Sequence, residues 1–439
     1  MARHRTHPRL RVYQNGEIVG YLSKQPSGAI VFLYAEEWLS NERAYPVSLS
    51  LPLREDAFKG APVVAVFENL LPDSNTLRSR VAEKVGADGT DAYSLLAQIG
   101  RDCVGALQFF SEDADIDLTD LHSIHGEAIS DEEIERLLNN LARVPLGLDR
   151  EHDFRISVAG AQEKTALLLH NEKWLRPYGA TPTTHILKTQ IGELPNGIDL
   201  SNSVENEFYS LVVMETFGLP VNKAEIRTFG KTKSLVIQRF DRKWTKEGSL
   251  LRIPQEDFCQ ALSVPPSLKY QNEGGPGMVE ILNLLKGSDT PSEDQKVFLK
   301  SQILFWLMGA TDGHAKNFSI FLGTGGRFVL TPLYDVLTAQ PFCDDRQIER
   351  KSMKMAMSVG NNRHYKMDEI QERHFIQTAQ RAGLPDYIAK DALEEICGIA
   401  EKAIQEVETK LPNNFPEEIH ESVMHGMKSR LKKIGEIFK

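Results

Sequence analysis

The sequence is poor in several features that would settle its class at once. It holds only four cysteines, Cys103, Cys259, Cys343 and Cys397, far apart and without metal-ligand spacing. That excludes a disulfide framework and a zinc cluster, and free thiols in a reduced, cytoplasmic setting are expected. No apolar run approaches the ~20 residues that cross a bilayer, so no membrane role is expected. The basic start, with Arg3, Arg5 and Arg9, is not followed by an apolar core and does not read as a secretory leader. Positive charge is also short: 51 Lys and Arg stand against 61 Asp and Glu, a net charge of −10. Phosphate contacts need clustered cations, so strong nucleic-acid binding by this chain alone is not expected. No internal repeat, no low-complexity segment and no G-x-x-x-x-G-K-[ST] phosphate loop is present.

What is present fits a folded protein of more than one domain. A hydrophobic content of 41% over 439 residues is ordinary for a globular chain and long enough for two or three cores. Asn15-Gly16 between alternating apolar residues predicts a β-hairpin, and residues 29–34 a third strand. Helices are predicted over 74–85 and 91–99, and a strand over 104–110. Residues 1–110 therefore read as an α+β unit, and 111–152 as an acidic linker with a helix over 130–143. Residues 153–245 read as the next unit, and 246–439 as a part dominated by helices, at 293–310, 368–382, 386–410 and 416–437.

The chemistry concentrates in Thr311-Asp312-Gly313-His314-Ala315-Lys316-Asn317 and in Tyr334-Asp335-Val336. Asp312 and Asn317 stand five apart, the D-x-x-x-x-N spacing of a kinase catalytic loop. There the Asp orients and deprotonates an attacking hydroxyl and the Asn holds magnesium. Asp-Gly alone reads as a turn. Two apolar runs around a Gly-rich turn at 323–326 predict a hairpin that returns Asp335 to Asn317. Magnesium takes one or two hard oxygen ligands from protein, a share Asn317 and Asp335 could supply.

Earlier pieces follow in kinase order. Residues 154–169 show two strand-like runs around a small-residue turn, which could cover phosphates with backbone N–H groups or be an ordinary hairpin. An apolar strand then ends in Lys188, resembling the strand whose Lys grips nucleotide phosphates. A helix over 203–217 carries Glu205 and Glu207, either of which could pair with Lys188 or serve as a helix-start charge. A strand from 234 reaches a polar break at Gln238, Arg239 and Phe240, the place of a nucleotide-binding hinge.

These segments, with Asn69-Leu70-Leu71-Pro72-Asp73-Ser74, Gly100-Arg101-Asp102, Arg239-Phe240-Asp241 and Gly274-Gly275-Pro276-Gly277, resemble the HipA family across nearly the whole chain. HipA proteins are serine/threonine-protein kinase toxins of bacterial toxin–antitoxin modules. The resemblance implies a protein-kinase-like bilobal α+β fold, with an α/β N-terminal lobe and an all-helical C-terminal lobe, binding ATP and Mg2+. It makes Asp312 the catalytic base, and Asn317 and Asp335 the metal ligands. It assigns phosphate or nucleotide contacts to Val158, Ala159, Gly160, Ala161, Gln162, Lys164, Lys188, Gln238, Arg239, Phe240 and His314. Ser157 would be the autophosphorylated serine, its new charge expelling the loop from the nucleotide. The implied protein substrate is glutamate–tRNA ligase. The implied partner is a HipB-like helix-turn-helix antitoxin dimer, which binds operator DNA with the toxin and represses their operon. Two departures stand out. Val336-Leu337 follows Asp335 where kinases carry Phe-Gly, and Cys103 takes the place of a small hydroxyl residue and is expected to be a buried, inert thiol.

Three other readings use the same residues. A small-molecule kinase shares the Asp-x4-Asn loop but leaves residues 1–110 without a task. A catalytically silent co-repressor would have lost a catalytic or metal residue, yet Asp312, Asn317 and Asp335 are all present. A metal-dependent hydrolase would use Asp312, His314 and Asp335.

Overall fold

The computed structural model describes residues 7–114, 123–148, 156–160 and 162–435. The chain forms two compact units, each assembled from separate stretches. The first takes 1–189, 227–267 and 320–327; the second takes 190–226, 268–319 and 328–439. This division differs from the four consecutive segments expected from the sequence, and part of the expected linker at 111–152 lies outside the described residues.

The first unit is built on two sheets. In the five-stranded antiparallel sheet the order is Phe58–Lys59, Ile30–Tyr34, Glu17–Lys24, Leu10–Gln14 and Leu107–Ser111. Asn15 and Gly16 make its first turn, both at positive φ, as a two-residue hairpin with right-handed strand twist demands. Helix Asn75–Val85 starts on the Ser74 hydroxyl, which accepts from the Leu77 N–H, and stops at Gly86 in the left-handed region. Helix Ala92–Ile99 is capped in the same way by Asp91. Their apolar faces, with Phe32, Phe67, Leu96 and Phe109, close one core over the sheet.

The second sheet has six strands, in the order Ala224–Phe229, Thr232–Gln238, His185–Thr189, Lys164–His170, Lys173–Pro177 and Gly126–Ala128. Helix Asp131–Asn139 packs Ile134 and Leu138 against it, beside Leu187 and Val236. That helix ends four residues before the expected limit, since Asn140 to Arg143 form turns. The strand expected immediately before the small-residue turn is absent from residues 156–159, which run without strand pairing.

The second unit is mainly helical, with Ser203–Thr216, Met278–Leu285, Pro291–Met308, Glu372–Arg381, Asp386–Lys410 and Glu417–Gly435. Helix Pro291–Met308 is buried almost throughout, and its last six residues, from Ile303 to Met308, are all apolar. The expected all-helical C-terminal lobe is corrected here. Lys354–Val359 and His364–Lys366 pair as a two-stranded antiparallel sheet, and β-branched and Met side chains bury one of its strands.

Among the described residues no helix is long and apolar enough to cross a membrane.

Candidate active site

The catalytic-loop residues lie together in the second unit. Helix Pro291–Met308 ends at Gly309, in the left-handed region at φ 78°, and the chain leaves it directly into the loop. Gly313 is required there: a Cβ at this position would lie 2.3 Å from the Phe305 ring on that helix. The loop is therefore pressed onto a rigid apolar base. Asp312 faces outward, with its side chain 49% exposed, while His314 is 4% exposed.

Asn317 ties the two parts of the site together. Its Nδ2 donates to the Asp312 carbonyl at 2.8 Å and to the Asp335 carbonyl at 3.3 Å. Both donors of the amide point at backbone, so its Oδ1 is the end directed elsewhere. The return from Ser319–Leu322 to Phe328–Leu330 is closed by the Thr331 N–H, which donates to the Ser319 carbonyl at 2.9 Å. Tyr334 Oη then donates to the Lys316 carbonyl at 2.9 Å and lies 2.5 Å from Ser319 Oγ. Asp335 sits at φ 56°, in the left-handed region that Asp enters more readily than most non-glycine residues. Just beyond it, the Thr338 N–H donates to Asn206 Oδ1 while the Thr338 carbonyl accepts from Asn206 Nδ2.

Asn317 Oδ1 and the Asp335 carboxylate are the two hard oxygen donors these residues could offer a metal, with the Asp335 backbone held to Asn317. Among the described residues no group of three or more His, Cys, Asp or Glu could hold a metal by itself. The pair fits magnesium, which takes few protein ligands and completes its shell with phosphate and water.

Sequence reasoning missed two residues here. Asn206 lies 132 positions from Thr338 in the chain. Tyr270 donates its hydroxyl to Asp312 Oδ1, and its ring meets His314 edge-on at 4.9 Å. No local pattern marks either residue. Glu205 accepts from Gln190 Nε2 at 2.6 Å.

The residues expected to form a phosphate loop lie in the first unit. Ser157 is fully buried: its hydroxyl donates to the Leu70 carbonyl at 2.7 Å and its N–H to the Asp102 carbonyl at 3.1 Å. The Gly160 carbonyl accepts from the Asp73 N–H at 3.3 Å. The Asn69–Ser74 stretch, residues 69–74, is thus the bed on which 157–160 lies. Ala161 falls outside the described residues. Gln162 Nε2 donates to the Thr189 carbonyl at 2.8 Å. Lys164 and Lys188 are register partners on adjacent antiparallel strands, and both are 5% exposed. Lys164 Nζ donates to the Ala159 carbonyl at 2.8 Å, clamping the loop from below.

At the expected hinge, Gln238 is exposed and Phe240 meets Phe321 edge-on at 5.6 Å. Arg239 turns inward instead. Its five N–H donors reach Asp241 twice, Asp102, Thr183 Oγ1 and the Cys103 carbonyl, at 2.8–3.1 Å. Its backbone N–H goes to the Thr184 carbonyl at 2.8 Å. The expected nucleotide contact of Arg239 therefore narrows to its carbonyl. Arg242 and Arg252 complete the cluster, 2.7 Å and 3.3 Å from Asp102 Oδ1. Burial alone pushes the Asp102 carboxyl up, but Arg242, Arg239 and Arg252 outweigh it and hold it well below the usual carboxylate range. Burial pushes the neighbouring Cys103 thiol up to about 12, the inert thiol expected.

Comparison with known proteins finds relatives along most of the chain. Residues 156–404 match the HipA-like C-terminal domain and residues 10–110 the HipA N-terminal domain. The candidate kinase Y4mE of Sinorhizobium fredii is 36% identical over 80% of this chain and 80% of its own length. The serine/threonine-protein kinase toxin HipA of Shewanella oneidensis is 27% identical, covering 86% of this chain and 84% of that protein. A crystal structure of the Shewanella oneidensis HipA, HipB and operator DNA complex contains a chain that superposes with a TM-score of 0.78 at 24% identity, over 97% of both chains. With the family models covering both ends of the sequence and the fold shared along its length, this chain belongs to the HipA family of toxin kinases.

Proposed function

We propose that this chain is a magnesium- and ATP-dependent serine/threonine-protein kinase, the toxin of a toxin–antitoxin pair. The observation that carries the reading is the Asp312, Asn317 and Asp335 constellation, held by the Asn317 amide on a buried helix base. Asp312, half-exposed, is the base that orients an acceptor hydroxyl and takes its proton. Asn317 Oδ1 and the Asp335 carboxylate would hold the metal, which when bound neutralises charge on the transferring phosphate. Lys164, Lys188 and the backbone of 158–162 would bind ATP phosphates, His314 would orient the loop, and 238–240 would border the base.

Ser157 is the self-phosphorylated residue in this reading. Its hydroxyl sits in a fully buried place against Leu70, with no room for a phosphate. A phosphate there adds nearly two negative charges, so 156–160 would have to leave its bed, and nucleotide binding with it. The protein substrate is glutamate–tRNA ligase, whose modification stalls translation. The antitoxin is a HipB-like helix-turn-helix dimer that supplies most contacts to operator DNA, consistent with the −10 net charge here.

The test is transfer of label from ATP, with magnesium, to the ligase and to the protein itself, beside Asp312→Asn. Label on the ligase that disappears in the variant is the expected result. Label on the protein alone would discard the ligase. Starting from protein shown by mass spectrometry to carry no phosphate at Ser157, absence of all label would discard the kinase.

A further inference from the structure

The catalytic base of the proposed reaction already holds a hydroxyl. Tyr270 Oη donates to Asp312 Oδ1, where the hydroxyl of an acceptor would have to bind. The contact is not incidental to a mobile ring. On one side, the Lys269 carbonyl accepts from the Ala315 N–H of the catalytic loop at 3.4 Å. On the other, Gln271 Oε1 accepts from the Ser358 N–H at 2.7 Å. The Tyr270 carbonyl accepts from the Gly275 N–H at 2.9 Å, closing a turn so tight that a Cβ on Gly275 would lie 2.0 Å from the Leu268 carbonyl oxygen. The His314 ring supports the phenol from the side, edge-on at 4.9 Å.

The pair is solvent-facing: Tyr270 is half-buried and Asp312 half-exposed. A hydrogen bond in that setting is not needed to satisfy a buried group, and an incoming hydroxyl exchanges for it at low cost. Resting on the kinase reading above, we propose that Tyr270 is a built-in stand-in for the acceptor: its phenol masks Asp312 until a substrate hydroxyl displaces it. Tyr270 then acts as a positioning residue that raises the threshold for any acceptor, and above all for water. Water is the acceptor a toxin kinase must exclude, because hydrolysis consumes ATP without marking a target.

Hydrolysis is also the cleanest probe. In it a water oxygen bonds to the γ-phosphorus, the bond to the ADP oxygen breaks, and Asp312 takes the proton. Phosphate release from ATP with magnesium, and no protein acceptor, is measured for the wild type and Tyr270→Phe, which keeps the ring and its contact with His314. Release about two- to tenfold faster in the variant is expected, the range for one lost competing hydrogen bond. Equal or slower release would overturn the masking role and leave the kinase intact. No release from either protein would overturn the masking role, since removing the phenol then opens nothing to water, while the kinase reading is decided separately by label transfer from ATP.

A second measurement is independent of turnover. In protein carrying 3-fluorotyrosine, the 19F resonance missing from Tyr270→Phe identifies Tyr270. It is expected to shift in Asp312→Asn, and a resonance unmoved by that substitution would show that the phenol does not rest on Asp312.

Discussion

Two clusters of polar residues, one in each unit, look alike in the sequence and differ in every physical respect. Asp102, Arg239, Asp241, Arg242 and Arg252 are sealed in the first unit, all at 8% exposure or less, and Arg239 has every donor in use. In the second unit Asp312 is 49% exposed while His314 and Asn317 of the same loop are buried, and the Asn317 donors meet backbone. A buried charge survives only when paired and hydrogen-bonded, so the first cluster is bound to its neighbours and has little left to offer a ligand. The second exposes the Asp312 carboxylate, and holds Asp335 at positive φ. Motifs of charged residues can therefore mark either architecture or chemistry, and what separates Arg239 from Asp312 is that every Arg239 donor is committed inside the protein while the Asp312 carboxylate is exposed.

The sharpest way to break this contrast is to remove one carboxylate from each cluster. Asp312→Asn is expected to lower phosphate transfer about 10²–10⁴-fold, the range of general-base catalysis, with no change in melting temperature. Unaltered transfer would move Asp312 out of the chemistry. Arg239→Met is expected to do the reverse. It strands Asp102 and Asp241 among fewer cations and should cost about 3–5 kcal/mol of stability, read by urea unfolding. A loss below about 1 kcal/mol would show that the cluster relaxes or hydrates.

Glu256 sharpens the comparison through pH. It is buried, accepts from the Leu49 N–H at 2.8 Å, and burial pushes its carboxyl up to about 8. Its folded form therefore holds a proton that the unfolded chain gives up near 4.5. Stability from this group is complete below about 4.5 and is lost as pH rises toward 8, on the order of a few kcal/mol. Glu256→Gln should raise the melting temperature at pH 8 and leave it almost unchanged at pH 5. The smallest effect concerns thiols. Cys343 and Cys397 are partly exposed and Cys103 and Cys259 buried, so a thiol reagent should label the first two in the native protein and the second two only after unfolding.

Much of this fold is legible in the sequence because its signals are local. Asn15-Gly16 specifies its turn by φ preference, Ser74 and Asp91 specify helix starts, and Gly86 specifies a stop. The catalytic loop is legible for a different reason: Asp312 and Asn317 are close in sequence, and the run to Asp335 is one short return of the chain. What escaped was whatever depends on distant residues. The Arg239 side chain turns inward because Asp102 lies beneath it, 137 positions earlier. Residues 156–159 form no strand because Leu70 and Asp102 take their polar groups first. Tyr270 reaches Asp312 over 42 positions with no pattern to announce it.

The sealed cluster also sets a schedule for the ribosome. Asp102 is made early, but its partner Arg252 follows 252 − 102 = 150 residues later. At roughly 5–20 residues per second, that is a wait on the order of ten to thirty seconds. During it, the segment matching the N-terminal domain, residues 10–110, contains a carboxylate whose arginines have not yet been synthesised. A message cut short before Arg239 leaves that domain with a carboxylate lacking all three arginines. The first unit is thus electrostatically complete only once Arg252 has been added, still well before the codon for Asp312 is read.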